Sequence, residues 1–135
     1  SIFDRTIEKN GLKETANRLG KGIIAFSPLA QGLLTDRYLH GIPEDSRIRT
    51  DGRFLKESTL TEEKLEQIRA LNAIAAARGQ TLAEMALAWI LKDGQVTSVL
   101  IGASRPEQIL DDLKALDNTA FTPDELRAID AASGF

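Results

Sequence analysis

Val96 to Asp112 reads V-T-S-V-L-I-G-A-S-R-P-E-Q-I-L-D-D, a buried strand that passes through a glycine turn directly into the first turns of a helix. Thr97 to Ile101 is β-branched and apolar, too short for a helix and too uniformly apolar for a half-exposed strand. It therefore predicts a parallel strand covered on both faces. Gly102 ends it. Ser104 is placed to cap the next helix while Glu107 reaches back in a capping box, and Pro106 stands in the first turn, where no amide hydrogen is needed. A helix N-terminus opening from the C-terminal end of a parallel strand gathers unpaired amides and the positive end of the helix dipole at one spot, which suits an anion. Arg105 adds a forked, permanently charged donor fitted to phosphate. Two readings of these residues stand side by side: a site for a phosphate-bearing ligand, or a common cap beside an ordinary surface arginine. The spacing is neither the G-x-G-x-x-G dinucleotide pattern nor a P-loop.

Working outward, Ser1 to Asn10 has no clear period and reads as the end of an element. Gly11 to Gly20 predicts a short helix with Leu12, Ala16 and Leu19 on one face. Ile23 to Phe26 is a second buried strand, stopped by Ser27-Pro28 because proline has no amide hydrogen for a sheet. Leu29 to Arg53 is a long segment without regular period, which is usually either functional or disordered; its apolar first half favours an ordered loop. Then come two helices. The first has Leu65, Ile68, Leu71 and Ala75 on one face, a Thr59–Glu62 capping box and Gly79 as its stop. The second has a Thr81–Glu84 box and a stripe of Leu82, Met85, Ala86, Trp89 and Ile90, with Met85 and Trp89 read as core. Asp93-Gly94 turns the chain into the second strand. The helix from Arg105 is expected to bury Ile109, Leu113 and Leu116, and a last helix starts at Thr122-Pro123-Asp124-Glu125 with Leu126 and Ile129 inward.

The 135 residues suffice for one domain with a modest core. With 42% hydrophobic and 27% charged residues and a net charge of −3, the chain reads as an ordinary soluble protein without a nucleic-acid surface. No apolar run approaches the ~20 residues that span a bilayer, and Ser1 begins no signal-peptide pattern, so no membrane partner and a cytoplasmic setting are expected. The chain has no cysteine and one histidine, which removes disulfides, thiolate catalysis and multi-histidine metal sites; no metal is expected. Two strands cannot close a sheet of their own, and neither edge carries the charges or prolines that protect a free edge. Either the strands pair with another molecule, or the 135 residues form a single incomplete domain of a larger β/α protein.

The stretches S-I-F-D-R, G-I-I-A-F-S-P-L-A-Q-G-L-L-T-D-R-Y, G-I-P-E-D-S-R, A-L-A-W-I-L and V-L-I-G-A-S-R-P-E-Q-I-L-D-D-L resemble the aldo-keto reductases. The resemblance is greatest to the branch holding the bacterial glyceraldehyde 3-phosphate reductase-like enzymes and the potassium-channel β-subunits. It implies an α/β fold, the C-terminal segment of a (β/α)8 TIM barrel, with strands 7 and 8 and their flanking helices. It also implies NADP(H) held at the C-terminal ends of the strands. Ser27, Pro28, Leu29, Gln31 and Gly32 match the loop under the pyrophosphate. Arg37 matches a basic residue lying against it, and Arg47 an arginine of the loop that folds over the cofactor. Gly102, Ser104 and Arg105 match the 2′-phosphate pocket, and Gln108, Asp111 and Asp112 the surroundings of the adenine. The family usually has asparagine where Asp112 stands, and an ionised aspartate accepts but does not donate a hydrogen bond.

The same resemblance implies what this segment does not contain. The family's proton-donating tyrosine and its lysine, aspartate and histidine partners come from the first half of the barrel, so no catalytic residue is assigned. Tyr38 and His40 fall in the cofactor loop. The implied whole is an NADP-dependent reductase of small aldehydes or ketones, completed by an N-terminal barrel half or a homo-oligomeric partner. The alternatives are a non-catalytic, channel-β-like cofactor sensor and a self-assembling half-barrel. The loop from Asp36 to Arg53, with its glycines, Pro43 and paired arginines, is expected to close over bound cofactor and to be the most mobile part without it.

Overall fold

The computed structural model describes residues 1–41 and 60–135. In chain order these form α1 (Thr6–Lys9), α2 (Leu12–Arg18), β1 (Ile24–Ala25), 3-10 turns at Ala30–Gly32 and Asp36–Tyr38, α3 (Glu62–Ala77), α4 (Leu82–Leu91), β2 (Ser98–Val99), α5 (Pro106–Leu113), a 3-10 turn at Lys114–Asp117, and α6 (Pro123–Ser133).

Local sequence sets most of the helix ends. The Thr81–Glu84 and Thr122–Glu125 capping boxes both form, with Pro123 opening α6. α3 begins at a different threonine from the one expected: Thr61 Oγ1 accepts from the Lys64 amide at 3.1 Å, and Thr59 lies outside the described residues. Gly79 ends α3 at φ +71°, a left-handed conformation that costs a side-chain-bearing residue about 1–2 kcal/mol. Asp93 makes the turn into β2 by accepting from the Gln95 amide at 3.0 Å.

The core lies where α3 packs on α6 and on α4. Ile68, Leu71 and Ala75 meet Ile129 and the apolar side of α4, including Met85, Ala86, Trp89 and Ile90, all buried. Leu65 and Leu126 are half-buried at its margin. Tyr38, Leu33 and Leu34 join the same core from the loop after β1, and Ile2 joins it from the N-terminal turn.

β1 and β2 pair in parallel, Ile24 opposite Ser98 and Ala25 opposite Val99, each strand shorter than the apolar run in its sequence. The expectation of strands covered on both faces is corrected here. Ala25 and Val99 pack on the core, but the opposite face presents Ile24, Phe26 (78% exposed) and Leu100 to solvent. The flanks behave alike. Leu12 and Leu19 of α2 are exposed, as are Ile109, Leu113 and Leu116 around α5, which were expected to be buried. An amphipathic pattern shows that a helix has an apolar face, but the layer that covers the face need not lie within the same residues.

Two charged hubs tie the chain together. Lys13, the buried residue of α2, reaches Asp93 at 2.5 Å and Glu8 at 3.1 Å, and Lys92 stands 3.4 Å from the same Glu8. Arg5 bonds Asp130 at 2.5 Å and Ser133 at 3.0 Å across the start of α6's last turn. Its guanidinium also lies 4.8 Å from the Trp89 ring centre and 4.3 Å from that of Phe135. Among the described residues, no helix is long and apolar enough to cross a membrane.

Candidate functional site

Because β1 and β2 are parallel neighbours, the loops leaving their C-terminal ends emerge at one edge of the sheet. One is Ser27 to Gly32 and the other Gly102 to Arg105.

The first loop is held in an uncommon backbone shape. Ser27, Ala30 and Gln31 have φ of 50°, 47° and 60°, and Gly32 follows at 95°. Three side-chain-bearing residues in the left-handed region within five positions cost free energy that ordinary turns avoid, and such strain gathers at functional loops. The loop survives because it is anchored. Pro28 is buried, Leu29 packs against both apolar clusters, and the Ala30, Gly32 and Leu34 amides bond back to Ser27 and Leu29 carbonyls at 3.0–3.1 Å. Thr35 Oγ1 donates to the Gly32 carbonyl at 2.6 Å and accepts from the Arg37 amide at 3.2 Å, which presents Arg37 on the exposed side of a turn whose next residue, Tyr38, is sunk in the core. Tyr38 is buried, while His40 is exposed on the same loop. Arg47 and Pro43, with the rest of the loop expected to close, lie outside the described residues.

The second loop corrects the expected Ser104–Glu107 capping box. Pro106 takes the first helical position, so the cap is Arg105 and the reciprocal residue falls at Gln108. Its side-chain Oε1 accepts from the Ser104 amide at 2.8 Å, the Ser104 hydroxyl at 3.2 Å and the Arg105 amide at 3.3 Å. Only this reciprocal half of a box forms, because an arginine side chain has no acceptor and the Gln108 amide bonds the Arg105 backbone carbonyl at 3.2 Å instead. Arg105 itself is exposed. Among the described residues, nothing lies within 4 Å of where a Cβ on Gly102 would stand.

Further along α5, Asp111 pairs with Lys114 at 2.8 Å. Asp112 is half-buried, and burial, followed by the neighbouring Asp111 and Glu84 carboxylates, pushes its pKa up.

The structure thus brings Ser27 to Gly32 and Gly102 to Arg105 to one edge, with Gln108, Asp111 and Asp112 on the helix that follows. A cleft of about 400 Å³ lies elsewhere, between the α3–α4 turn and the turn after α5. Its polar groups already answer one another: Arg78 holds Glu125 at 2.7 Å and the Ala120 carbonyl at 2.9 Å, and Gln80 donates to the Asn118 carbonyl at 3.0 Å. It is a structural seam. Among the described residues no cluster of His, Asp or Glu could hold a metal ion. Sequence reasoning missed the left-handed residues of the first loop, since none of the three is a glycine, and the Gln108 cap.

Against known proteins, the sequence profile of the Aldo/keto reductase family matches residues 1–133. L-glyceraldehyde 3-phosphate reductase of Escherichia coli is 51% identical over 133 residues, which cover 96% of this chain and 38% of that protein. A candidate voltage-gated potassium channel subunit beta of Schizosaccharomyces pombe is 40% identical over 120 residues. Among solved structures, a glycerol dehydrogenase of Gluconobacter oxydans superposes with a TM-score of 0.75 at 28% identity over 97% of this chain and 39% of its own. A thermostable aldo-keto reductase in complex with epalrestat does so with a TM-score of 0.64 at 27% identity. The chain spans about two fifths of the length of the relatives it matches.

Proposed function

The chain belongs to the aldo/keto reductase family, and on that premise we propose that it is the C-terminal portion of an NADP(H)-dependent (β/α)8 barrel, with β1 and β2 as the seventh and eighth strands, in a cytoplasmic protein that reduces aldehydes or ketones. One observation carries the reading: the parallel register of β1 and β2 sets a strained, anchored loop beside a glycine turn whose helix starts at an exposed arginine. Barrel enzymes build their sites at this end of the strands.

The residues present fit the cofactor. Gly102 leaves the backbone open to close approach, and Arg105 sits where helix dipole and guanidinium act together on a phosphate. Ser104 and Arg105 would hold the 2′-phosphate. Ser27, Pro28, Leu29, Gln31 and Gly32 would line the pyrophosphate, with Arg37 and Arg47 as its countercharges. Gln108, Asp111 and Asp112 would surround the adenine. The nicotinamide, when bound, supplies the hydride. What these residues contribute is binding and orientation rather than proton delivery, for the family's proton-donating tyrosine and its partners match no position of these 135 residues. The 135 residues alone should accordingly show no NADPH-dependent turnover.

The relative's name makes a short phosphorylated aldehyde the first substrate to try. A cofactor-sensing regulatory role is the second reading, favoured only by the channel-subunit relative, whose identity is 40% against 51% for the reductase. The test is Arg105→Ala in the complete barrel. A charge-assisted hydrogen bond contributes about 1.5–3 kcal/mol, so NADPH should weaken about ten-fold or more while NADH stays nearly unchanged. Equal weakening of both would mean that Arg105 serves the helix and not the phosphate.

A further inference from the structure

Gly32 and Arg37 stand on opposite sides of one threonine, and the Thr35 hydroxyl bonds to both. It donates to the Gly32 carbonyl at 2.6 Å and accepts from the Arg37 amide at 3.2 Å. A hydroxyl can donate and accept at a single atom, and here both capacities go to the backbone. The accepting half caps the 3-10 turn Asp36–Tyr38. That cap has no need of the donating half, which reaches back to the preceding turn, Ala30–Gly32, where the left-handed residues lie.

Neither turn is sturdy alone. Each is a single stretch of 3-10 helix, whose hydrogen-bond geometry is poorer than that of an α-helix, and the first holds Ala30 and Gln31 at φ of 47° and 60°. Packing fixes the inward side. Leu33 and Leu34 are buried between the turns, and the ring of buried Tyr38 comes within 3.6 Å of where a Cβ on Gly32 would stand. On the outward side Gln31 and Arg37 are exposed, with Thr35 half-buried between them. Apolar burial is non-directional, so it holds the floor of the segment without setting the tilt of one turn against the other. The Thr35 hydroxyl supplies that direction.

We propose that Thr35 is a positioning residue for the pyrophosphate: its hydroxyl ties the turn carrying Gln31 and Gly32 to the turn carrying Arg37, so that the loop and its countercharge meet the ligand in one fixed geometry. The inference rests on the cofactor reading above and adds a residue that acts through Gly32 and Arg37 rather than on the ligand. Two turns ordered in advance lose less freedom on binding than two that must be aligned by the ligand. The 2′-phosphate and adenine, assigned to the other loop and α5, are expected to be indifferent to the change.

The experiment is made in the complete barrel with two ligands: NADPH, and adenosine 2′-monophosphate, which keeps the adenine and the 2′-phosphate and lacks the pyrophosphate. Thr35→Val is nearly isosteric and removes both hydrogen bonds. In titration calorimetry it should weaken NADPH about ten-fold, as the loss of one charge-assisted hydrogen bond would, and leave adenosine 2′-monophosphate unchanged. Thr35→Ser should restore the wild-type affinity for NADPH. Arg37→Ala should weaken NADPH by a smaller factor when Thr35 is already valine than when it is threonine, because the two act as a unit. Thr35→Ala gives the same comparisons should the valine protein not fold. Unchanged NADPH affinity in Thr35→Val would overturn the proposal. So would equal weakening of both ligands, which marks a general loosening of the fold, a serine variant as weak as the valine one, or full additivity with Arg37→Ala. A wild-type barrel that binds neither ligand would overturn the cofactor reading, and the proposal with it.

Discussion

Replacing Lys13 by methionine keeps the aliphatic stem packed and removes the charge that Asp93 and Glu8 share. The Lys13 side chain is 10% exposed, and its partners are about one third exposed at 33% and 30%. Breaking a fully buried pair costs about 3–5 kcal/mol because a stranded charge remains. Here water reaches both carboxylates and Lys92 still stands near Glu8, so about 2 kcal/mol is expected, between that value and the ~0–1 kcal/mol of a surface pair. The pH dependence has a defined sign. Burial is the largest influence on Asp93 and on Glu8 and raises their pKa values, but Lys13 and Lys92, joined at Asp93 by the hydrogen bond from the Gln95 amide, outweigh it and leave both lowered. Groups lowered on folding stabilise above their unfolded values, about 3.9 and 4.3, and lose that contribution as pH falls through the folded values. Burial likewise lowers the Lys13 pKa, yet Asp93 and Glu8 overcome it and raise the value. Its contribution is complete below the unfolded value of about 10.4 and is lost only at higher pH. The plateau thus runs from about pH 5 to pH 10. Urea unfolding followed by the fluorescence of Trp89, the single tryptophan, measures it. Lys13→Met should be less stable by about 2 kcal/mol at pH 7, with the difference shrinking toward zero near pH 2 as the carboxylates protonate. A difference below about 0.5 kcal/mol at pH 7, in the range of an exposed pair, would refute the reasoning; so would one that does not vary with pH.

Gln108→Ala should cost about 1 kcal/mol of stability and Glu107→Ala nearly nothing, since the box closes through Gln108; the reverse order in urea melts would restore the Ser104–Glu107 box. Gly102→Ala should leave stability within about 0.5 kcal/mol, because its φ lies outside the left-handed region and nothing crowds its Cβ, but should weaken NADP in the complete barrel. Unchanged titration calorimetry would show that no ligand approaches there. Ile129→Ala, at a fully buried position between α6 and α3, should destabilise by about 2–5 kcal/mol, and a loss under 1 kcal/mol would mean that the α3–α6 contact is loose.

Helix starts were legible because caps are local chemistry: Thr81 with Glu84 and Thr122 with Glu125 need only four consecutive residues. The same locality explains the error at α5, where Ser104 and Glu107 satisfy the pattern but Pro106 takes the first helical position and shifts the reaching-back side chain to Gln108. Burial was legible in α3 and α4, whose apolar faces meet each other and α6 within the chain. It failed at Leu12, Leu19, Ile109, Leu113 and Leu116, because a periodic stripe carries no record of where its covering layer lies. Of the candidate site, the two strand-end loops were legible through proline and glycine. The backbone shape of Ser27, Ala30 and Gln31 was not, for their left-handed conformations run against intrinsic preference and are held in a loop anchored by buried Pro28 and half-buried Leu29.

Arg5 makes one more consequence visible. By grasping Asp130 and Ser133 and stacking near Phe135, it brings the first residues and the last into one neighbourhood. A polypeptide whose extremities already meet can be rejoined there by a short glycine-serine bridge and reopened at an exposed turn such as Gly94 without crossing its core. Rearranged in that order, the sequence would place β2 and α5 ahead of β1, so the two strand-end loops would be synthesised in reverse while facing the same edge.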